Sequence, residues 1–425
     1  MAYQMRANAV LVLGLWASAA ASDAHAQFAG FDSPTAFNDL TLEVQIDNVH
    51  VDLDLDGDLD IVATQNTPSV LDTVKVWLNQ GNGTFTGGTI STVGSIPLRI
   101  AAGRLDNDPF PDVVVNNRDS EDISILISNG DGTLQPEVVY LTIGGFNQDI
   151  VIDDFNRDGK GDIAALSFDI NAVTIYLGDG SGTNFPSTPP YLTSNNTGTQ
   201  GLGPRGLVSV DLNLDGAPDL VTSNTGDNTI SVLYNDGTGV FIAGDAAQFF
   251  STGTAPIDIV AGDWNNDGYP DLAVANALDD TVEIFLNLTT GTYPALASLT
   301  TVPTGDQPIG LGVGDIDKDG DTDIIAMNEL DATYTVILVD PGAISFTPTT
   351  TPTPYSLPQV PRVGDLDGDG DDDFSSSNIN NDSFAVYLNL EGTLRTSCEG
   401  DLNNDGVVNG ADLGLLLGGW GVCPP

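Results

Sequence analysis

Nine-residue acidic segments recur along this chain, and their oxygen-bearing side chains are spaced to coordinate a hard cation. The fullest copy is Asp52-Leu53-Asp54-Leu55-Asp56-Gly57-Asp58-Leu59-Asp60, with carboxylates at positions one, three, five and nine and glycine at six. Six copies keep this scheme: Asp52/Asp54/Asp56/Asp60, Asp154/Asn156/Asp158/Asp162, Asp211/Asn213/Asp215/Asp219, Asp263/Asn265/Asp267/Asp271, Asp315/Asp317/Asp319/Asp323 and Asp365/Asp367/Asp369/Asp373. Position seven would add only its backbone carbonyl, which explains why Asp58, Lys160, Ala217, Tyr269, Asp321 and Asp371 are all tolerated there. Mixed carboxylate, amide and carbonyl oxygens in a flexible loop suit Ca2+ better than rigidly octahedral Mg2+. A merely acidic, solvated loop is the alternative, and six matching copies weigh against it.

A further copy departs. It reads Arg104-Leu105-Asp106-Asn107-Asp108-Pro109-Phe110-Pro111-Asp112, with arginine in place of the first ligand and proline in place of the glycine. The expectation is that the Arg104 guanidinium takes the ion's place and pairs Asp106, Asp108 or Asp112. Position two is apolar in every copy (Leu53, Leu105, Phe155, Leu212, Trp264, Ile316, Leu366), as expected of a side chain that points inward and packs. Trp264 is therefore read as core rather than as a sugar-stacking platform.

The loops begin at 52, 104, 154, 211, 263, 315 and 365, so the steps are 52, 50, 57, 52, 52 and 50 residues. Such a period means one supersecondary unit stacked repeatedly. After each loop comes a short branched run, such as Ile61-Val62-Ala63, Val113-Val114-Val115 or Ile324-Ile325-Ala326, suited to a buried strand. An alternating strand follows (Val74, Val76, Leu78; Ile123, Ile125, Ile127; Ile230, Val232, Tyr234), closed by Gly/Asn turns such as Asn79–Phe85. Two more strands lead to the next loop, the last short and apolar, as in Leu98–Ala102 or Ile257–Val260. Four strands per repeat without helical periodicity is the arithmetic of a propeller blade, and seven copies predict an all-β, seven-bladed β-propeller. Phe28–Val51 has room for two strands, and the seventh copy runs out near Arg395. The N-terminal strands are expected to complete the last blade and close the ring; an open row of blades is the alternative. The Thr/Pro-rich stretch Thr347–Pro354 reads as an extended connection, or a glycosylated one.

Composition narrows the function. The chain carries 60 acidic and 11 basic residues, a formal charge of −49, yet 40% of its residues are apolar. That share supports a packed core, while the acidity argues against nucleic acid and anionic membrane as partners. Beyond the first 26 residues, His50 is the only histidine, which leaves little material for a histidine-based zinc site or a Ser-His-Asp centre. Residues 1–26 read as a secretory signal, with an apolar Ala9–Ala21 run and an Ala24-His25-Ala26 cleavage pattern; an N-terminal membrane anchor is the alternative. Residues 27–397 would form the propeller, and no later segment is apolar enough to span a bilayer.

Residues 398–425 form a third unit. Cys398 and Cys423 bracket it and, in an oxidising compartment, read as one disulfide. Between them Asp401, Asn403, Asp405, Asn409 and Asp412, with the Val407 carbonyl, match positions of an EF-hand-style loop. Leu413, Leu415–Leu417 and Trp420 then suggest a short helix, giving a small calcium-binding helical C-terminal module. It resembles one half of a type I dockerin, which implies a docking or surface-anchoring partner; a calcium-clipped end cap is the plainer reading.

The repeated loops resemble the FG-GAP repeats of integrin α-subunits and the VCBS-type repeats of secreted bacterial proteins, over Phe28 to about Ser397. The resemblance implies a seven-bladed propeller with structural Ca2+ in a hairpin loop of most blades. The expectation is a secreted or cell-surface protein that binds an extracellular protein or glycan without catalysis. The alternative is a calcium-dependent polysaccharide lyase or hydrolase, for which acid pairs are plentiful. A purely structural matrix component is a third possibility.

Overall fold

The computed structural model describes residues 30–38, 44–66, 72–195, 198–243, 248–288, 296–341, 344–379 and 383–390. The signal-like segment 1–26, Cys398, Cys423 and the C-terminal module 398–425 lie outside the described residues. Among the described residues the strands form seven antiparallel sheets, six of them built from strands consecutive in the chain. The first sheet is built from Val44–Val51, Asp60–Asn66, Thr73–Asn79 and Phe85–Thr92, in that order. The next five repeat the plan, and in the fourth the outer edge is divided between Phe241–Ile242 and Gln248–Ser251.

The seventh sheet takes three strands from the chain's last repeat, Pro358–Gly364, Asp373–Asn378 and Ser383–Tyr387. Its outermost strand is Thr35–Asn38, paired in register from Thr35↔Val386 to Asn38↔Ser383. Only one of the two N-terminal strands thus completes the last blade. The other, Val44–Val51, opens the first. Closure is sealed by aromatic packing: the Phe37 ring stacks on Phe384 at 5.1 Å and meets Trp77 and Phe85 edge-on at 6.0 and 5.2 Å.

The core is divided in the way a ring of sheets requires. Seven apolar clusters are present, each shared by two neighbouring blades. The cluster holding Ile61 and Trp77 of the first blade with Leu366 and Phe384 of the last one joins the two ends of the chain. The second strand of each blade is buried along nearly its whole length because both faces meet a neighbouring sheet. It therefore reads as a continuous apolar run rather than an alternating one. The third strand alternates in sequence but is also buried on both faces, as in Thr281–Asn287. There the polar Glu283 accepts from the Gly253 amide at 2.9 Å and from Ser298 Oγ at 2.6 Å.

The Thr347–Pro354 stretch is not a connection. Most of it belongs to Ser345–Pro352, the outer strand of the sixth blade, paired with Thr333–Asp340. Its prolines are accommodated because an outer strand has one edge without a ladder partner.

Candidate metal centres on one rim

Each acidic loop joins the innermost strand of a blade to the second, so antiparallel pairing places all seven loops on the same rim of the ring. Position nine is the first residue of the second strand and is buried in every blade. Its carboxylate is a staple. Asp60 accepts the Leu53 amide at 3.1 Å with one oxygen and the Asn79 amide at 2.9 Å with the other. Asp162, Asp271, Asp323 and Asp373 repeat the pair of bonds. Asp112 of the divergent loop makes them too, at 2.9 Å each. Asp219 keeps the bond to Asn235 at 2.8 Å.

Burial pushes these carboxyls up: Asp60, Asp112 and Asp162 to about 6, Asp219 and Asp271 to about 7, Asp323 and Asp373 to about 8. The amide donors oppose that shift and neighbouring loop aspartates reinforce it. Because Asp112 shares the behaviour, position nine has a structural task besides any ligation.

Position one shapes the loop. Asp154 accepts the amides of Asp158 at 3.0 Å and Gly159 at 2.8 Å, and Asp52, Asp211 and Asp263 make the same two bonds. Asp315 and Asp365 each accept the amide of the position-six glycine, Gly320 and Gly370, at 3.1 and 3.0 Å. In the six regular loops positions four and six both have positive φ, for example Leu55 at 57° with Gly57 at 103°, and Arg157 at 59° with Gly159 at 84°. A leucine or arginine in that region is disfavoured and persists only where its surroundings hold it. In the divergent loop neither Asn107 nor Pro109 adopts it.

This backbone curls the side chains inward. Three loops bring three carboxylate oxygens within 4.8 Å of one another: Asp52/Asp54/Asp60, Asp315/Asp317/Asp323 and Asp365/Asp367/Asp373. In the last loop Asp367/Asp369/Asp371 do so as well. Asp54 Oδ1, Asp219 Oδ2 and Asp315 Oδ1 are buried and accept no hydrogen bond among the described residues. Burial and then the charges of Asp56 and Asp52 raise the Asp54 carboxyl, and burial and Asp319 raise Asp317 to about 6. Unsatisfied oxygens and mutual repulsion are what a bound cation would relieve, so the residues fit Ca2+ by donor type and clustering. Asp52, Asp54, Asp60, Asp315, Asp317, Asp323, Asp365, Asp367, Asp369, Asp371 and Asp373 would hold it in these loops. In the third, fourth and fifth loops, where Asn156, Asn213 and Asn265 stand at position three, the other candidate oxygens share the same backbone frame.

Position five, read from the sequence as a ligand, also bonds within the loop. Asp56, Asp158, Asp215 and Asp267 are exposed, and none of them joins a group of three carboxylates among the described residues. Each turns one oxygen to the position-seven amide two residues on, at 2.9–3.1 Å, the local bond that a short carboxylate makes in a tight turn. In Asp267 the Oδ1 accepts the Tyr269 amide at 2.9 Å and the Oδ2 accepts Asn265 Nδ2 at 3.1 Å, so both oxygens have a partner within the loop.

Two expectations are corrected. The first concerns position seven, whose side chains are not all free: Ala217 and Asp371 are buried. Lys318 of the preceding loop lies 3.8 Å from Asp371, which adds a carboxylate to the last loop's own cluster. The second concerns the divergent loop. Arg104 is exposed there and its Nε donates to the Asp108 carbonyl at 3.0 Å, rather than to a carboxylate. Burial and then the charge of Asp108 raise the Asp106 carboxyl, and the Arg104 charge offsets only part of that shift. The position-two side chains are buried as expected, Trp264 to 1% exposure in the cluster between the fifth and sixth blades.

Sequence reasoning overlooked a residue at the end of the third strand or two residues beyond it. Asn79, Asn235, Asn287 and Asn389 each reach back to the position-two carbonyl of the preceding blade's loop: Leu366, Phe155, Leu212 and Ile316, at 2.7–2.8 Å. Ser128 does the same to Leu53 at 3.3 Å. The recurring asparagine at the end of an alternating strand was visible, but it looked like ordinary turn chemistry. Loops also touch directly: the Arg157 Nη2 of the third donates to the carbonyl of Asp215 at 2.6 Å and to its carboxylate at 2.8 Å in the fourth. Asn266 of the fifth bonds Asp321 of the sixth at 3.2 Å.

Seven four-stranded blades, closed by an N-terminal strand and carrying acidic loops on one rim, define a β-propeller of the repeat type. The chain belongs to the FG-GAP-like repeat family, matched over residues 52–115, 104–165, 154–222, 211–274 and 263–326. Every match begins on position one of a loop and ends in the second strand of the next blade. No curated protein matches the chain. Among solved structures it is similar to BBS1N in complex with ARL6DN, at 11% identity and a TM-score of 0.57, covering 82% of this chain and 97% of that one. It is also similar to a catalytically inactive virginiamycin B lyase from Staphylococcus aureus with quinupristin, at 13% identity and a TM-score of 0.55, covering 84% and 99%. The periplasmic gluconolactonase PpgL of Pseudomonas aeruginosa follows at 16% identity and 0.51, covering 71% and 84%. At these identities the likeness is one of fold alone.

Proposed function

We propose that the protein is a calcium-stabilised propeller of the extracellular or cell-surface space that binds a protein or glycan partner without catalysis. The observation that carries the calcium reading is the shared geometry of six loops. Each pairs left-handed positions four and six with inward oxygens, and the one loop lacking both ligand one and the glycine lacks that backbone. The non-catalytic reading draws on the position-nine aspartates. Their raised pKa values would suit general acids, but in six of the seven blades both oxygens are held by backbone amides. Export through residues 1–26 and attachment through residues 398–425 complete the proposal, with the cysteine pair closing the terminal unit.

The test is thermal unfolding in EDTA against millimolar calcium. Each site filled at 100-fold above its Kd contributes about 2.7 kcal/mol, so several sites together would shift the midpoint strongly. Equal midpoints in the two buffers would end the calcium reading. Protein and glycan arrays probed with and without calcium address the partner.

A further inference from the structure

The innermost strands enclose an axial cavity of about 380 Å3, within the range of small-molecule sites. Charged side chains line one end of it: Arg99 of the second blade, Asp149 of the third, Asp258 of the fifth and Arg362 of the seventh. Arg99, Asp149 and Asp258 are each the third residue of their strands, so this end opens on the face opposite the acidic loops; Arg362 is the fifth residue of its own. Arg205, the second residue of the fourth blade's inner strand, stands exposed at the same end.

The arginines are not equivalent. Arg362 is committed to the fold: its Nη2 donates to both Asp47 oxygens at 3.0 and 2.9 Å, and its Nε to the Asn48 carbonyl at 2.8 Å. Arg99 is not. Its nearest carboxylate oxygen, Asp149 Oδ1, lies 4.0 Å away and already accepts the Ile150 amide at 2.9 Å. The second Asp149 oxygen accepts the Leu207 amide at 2.8 Å. Asp258 is engaged likewise, by the amides of Ile259 and Leu311 at 2.9 and 2.8 Å. Arg205 makes no hydrogen bond or ion pair among the described residues, and it is close enough to Arg99 for their like charges, after burial, to lower its pKa. In a chain with 60 acidic and 11 basic residues, two guanidinium groups at this end thus have no hydrogen-bonded carboxylate among the described residues.

We infer that this end of the axial cavity binds a small carboxylate-bearing ligand, gripped by Arg99 within the cavity and Arg205 at its mouth. The planar fork of a guanidinium matches a carboxylate bidentately, and an added anion would relieve the repulsion between the two. Burial raises Asp149 to about 7, so near neutral pH it opposes an anion with only part of a negative charge. The acidic loops begin five residues beyond Arg99, Asp149 and Asp258, about 16 Å along the strands. Asp153, which also lines the cavity, accepts the Asp154 amide at 2.8 Å and Ser209 Oγ at 2.7 Å, so its oxygens have partners of their own. The inference gives the binding reading above a site and a ligand class, and it does not depend on calcium occupancy.

The experiment is calorimetric titration of the calcium-loaded full chain with glucuronate and citrate, with glucose as the neutral control, at constant ionic strength. Saturable binding of a carboxylate and none of glucose is expected. Arg99→Gln and Arg205→Gln should each weaken binding by about tenfold or more, the loss of one charge-assisted hydrogen-bonded contact. The thermal midpoint in calcium should stay unchanged for the exposed Arg205→Gln, which keeps the test decisive if Arg99→Gln fails to fold. No saturable binding at millimolar concentrations, or binding retained in Arg205→Gln, would overturn the site. The EDTA melting test stands or falls separately.

Discussion

Asp112 separates two tasks that the other position-nine aspartates combine. It staples the Leu105 and Ser128 amides in a loop that lacks the first ligand and the glycine. Asp112→Ala leaves two buried amides without acceptors and should cost about 2–5 kcal/mol, equally in calcium and in EDTA. Asp54→Ala should behave in the opposite way. It removes a ligand and a repulsive charge, so stability should fall in calcium and stay level or rise slightly in EDTA. Denaturant unfolding of both variants in both buffers checks the contrast.

The titrating residues set a second expectation. Burial, reinforced by the charge of Arg362, holds His50 down at about 3, while the unfolded chain takes up that proton near 6.5. His50 alone therefore makes the fold lose stability as pH falls from about 6.5 toward 3. The seven position-nine carboxyls act with the other sign. Their folded pKa values of about 6 to 8 lie above the unfolded value of 3.8, so the metal-free fold weakens as pH rises through that window. Seven shifts of two units or more outweigh one histidine. In EDTA the thermal midpoint should be higher at pH 5 than at pH 8, and calcium should reverse the order because its ligands must be deprotonated. A midpoint in EDTA that rises with pH would contradict this.

Elements matter here mainly through what they do to their neighbours. The asparagines that end third strands, the bulge-side aspartates Asp47, Asp149 and Asp258, and position four of several loops all bond into another blade. The contact from Arg157 to Asp215 has a thermodynamic consequence if the fourth loop holds an ion. A fixed positive charge on a candidate ligand weakens cation binding by Coulomb repulsion, so Arg157→Gln should raise the affinity of one site by about three- to tenfold. Calorimetric calcium titration would resolve that site, and an unchanged isotherm would remove the coupling between loops.

At the scale of the molecule, stability depends on joining the two ends of the chain. Phe37→Ala removes the ring between Trp77, Phe85 and Phe384 and should cost about 2–4 kcal/mol. Hydrogen exchange should accelerate first in Ser383–Tyr387, the strand that Thr35–Asn38 covers. Uniform acceleration in every blade would mean that closure is not the weak seam.

The period of about 50 residues, the blade count and the buried position-two side chains were legible in the sequence, because repetition averages away local ambiguity and each loop marks its own start. Paired spacing of aspartates and glycine likewise located the candidate cation loops without any contact information. Spacing could not say how each carboxylate divides its oxygens between an ion and the loop's own amides, which is why Asp267 reads as a ligand in sequence yet is bonded within its turn. Distant pairings were not legible either. That Thr35–Asn38 joins the last blade while Val44–Val51 joins the first, that Thr347–Pro352 is strand, and that Arg104 bonds a carbonyl all depend on which segments the closed ring brings together. The axial meeting of Arg99, Asp149, Arg205, Asp258 and Arg362 has the same origin. Local spacing can specify a loop, because its ligands are neighbours along the chain. A channel lined by residues 99 to 362 exists only once seven sheets have been packed around one axis.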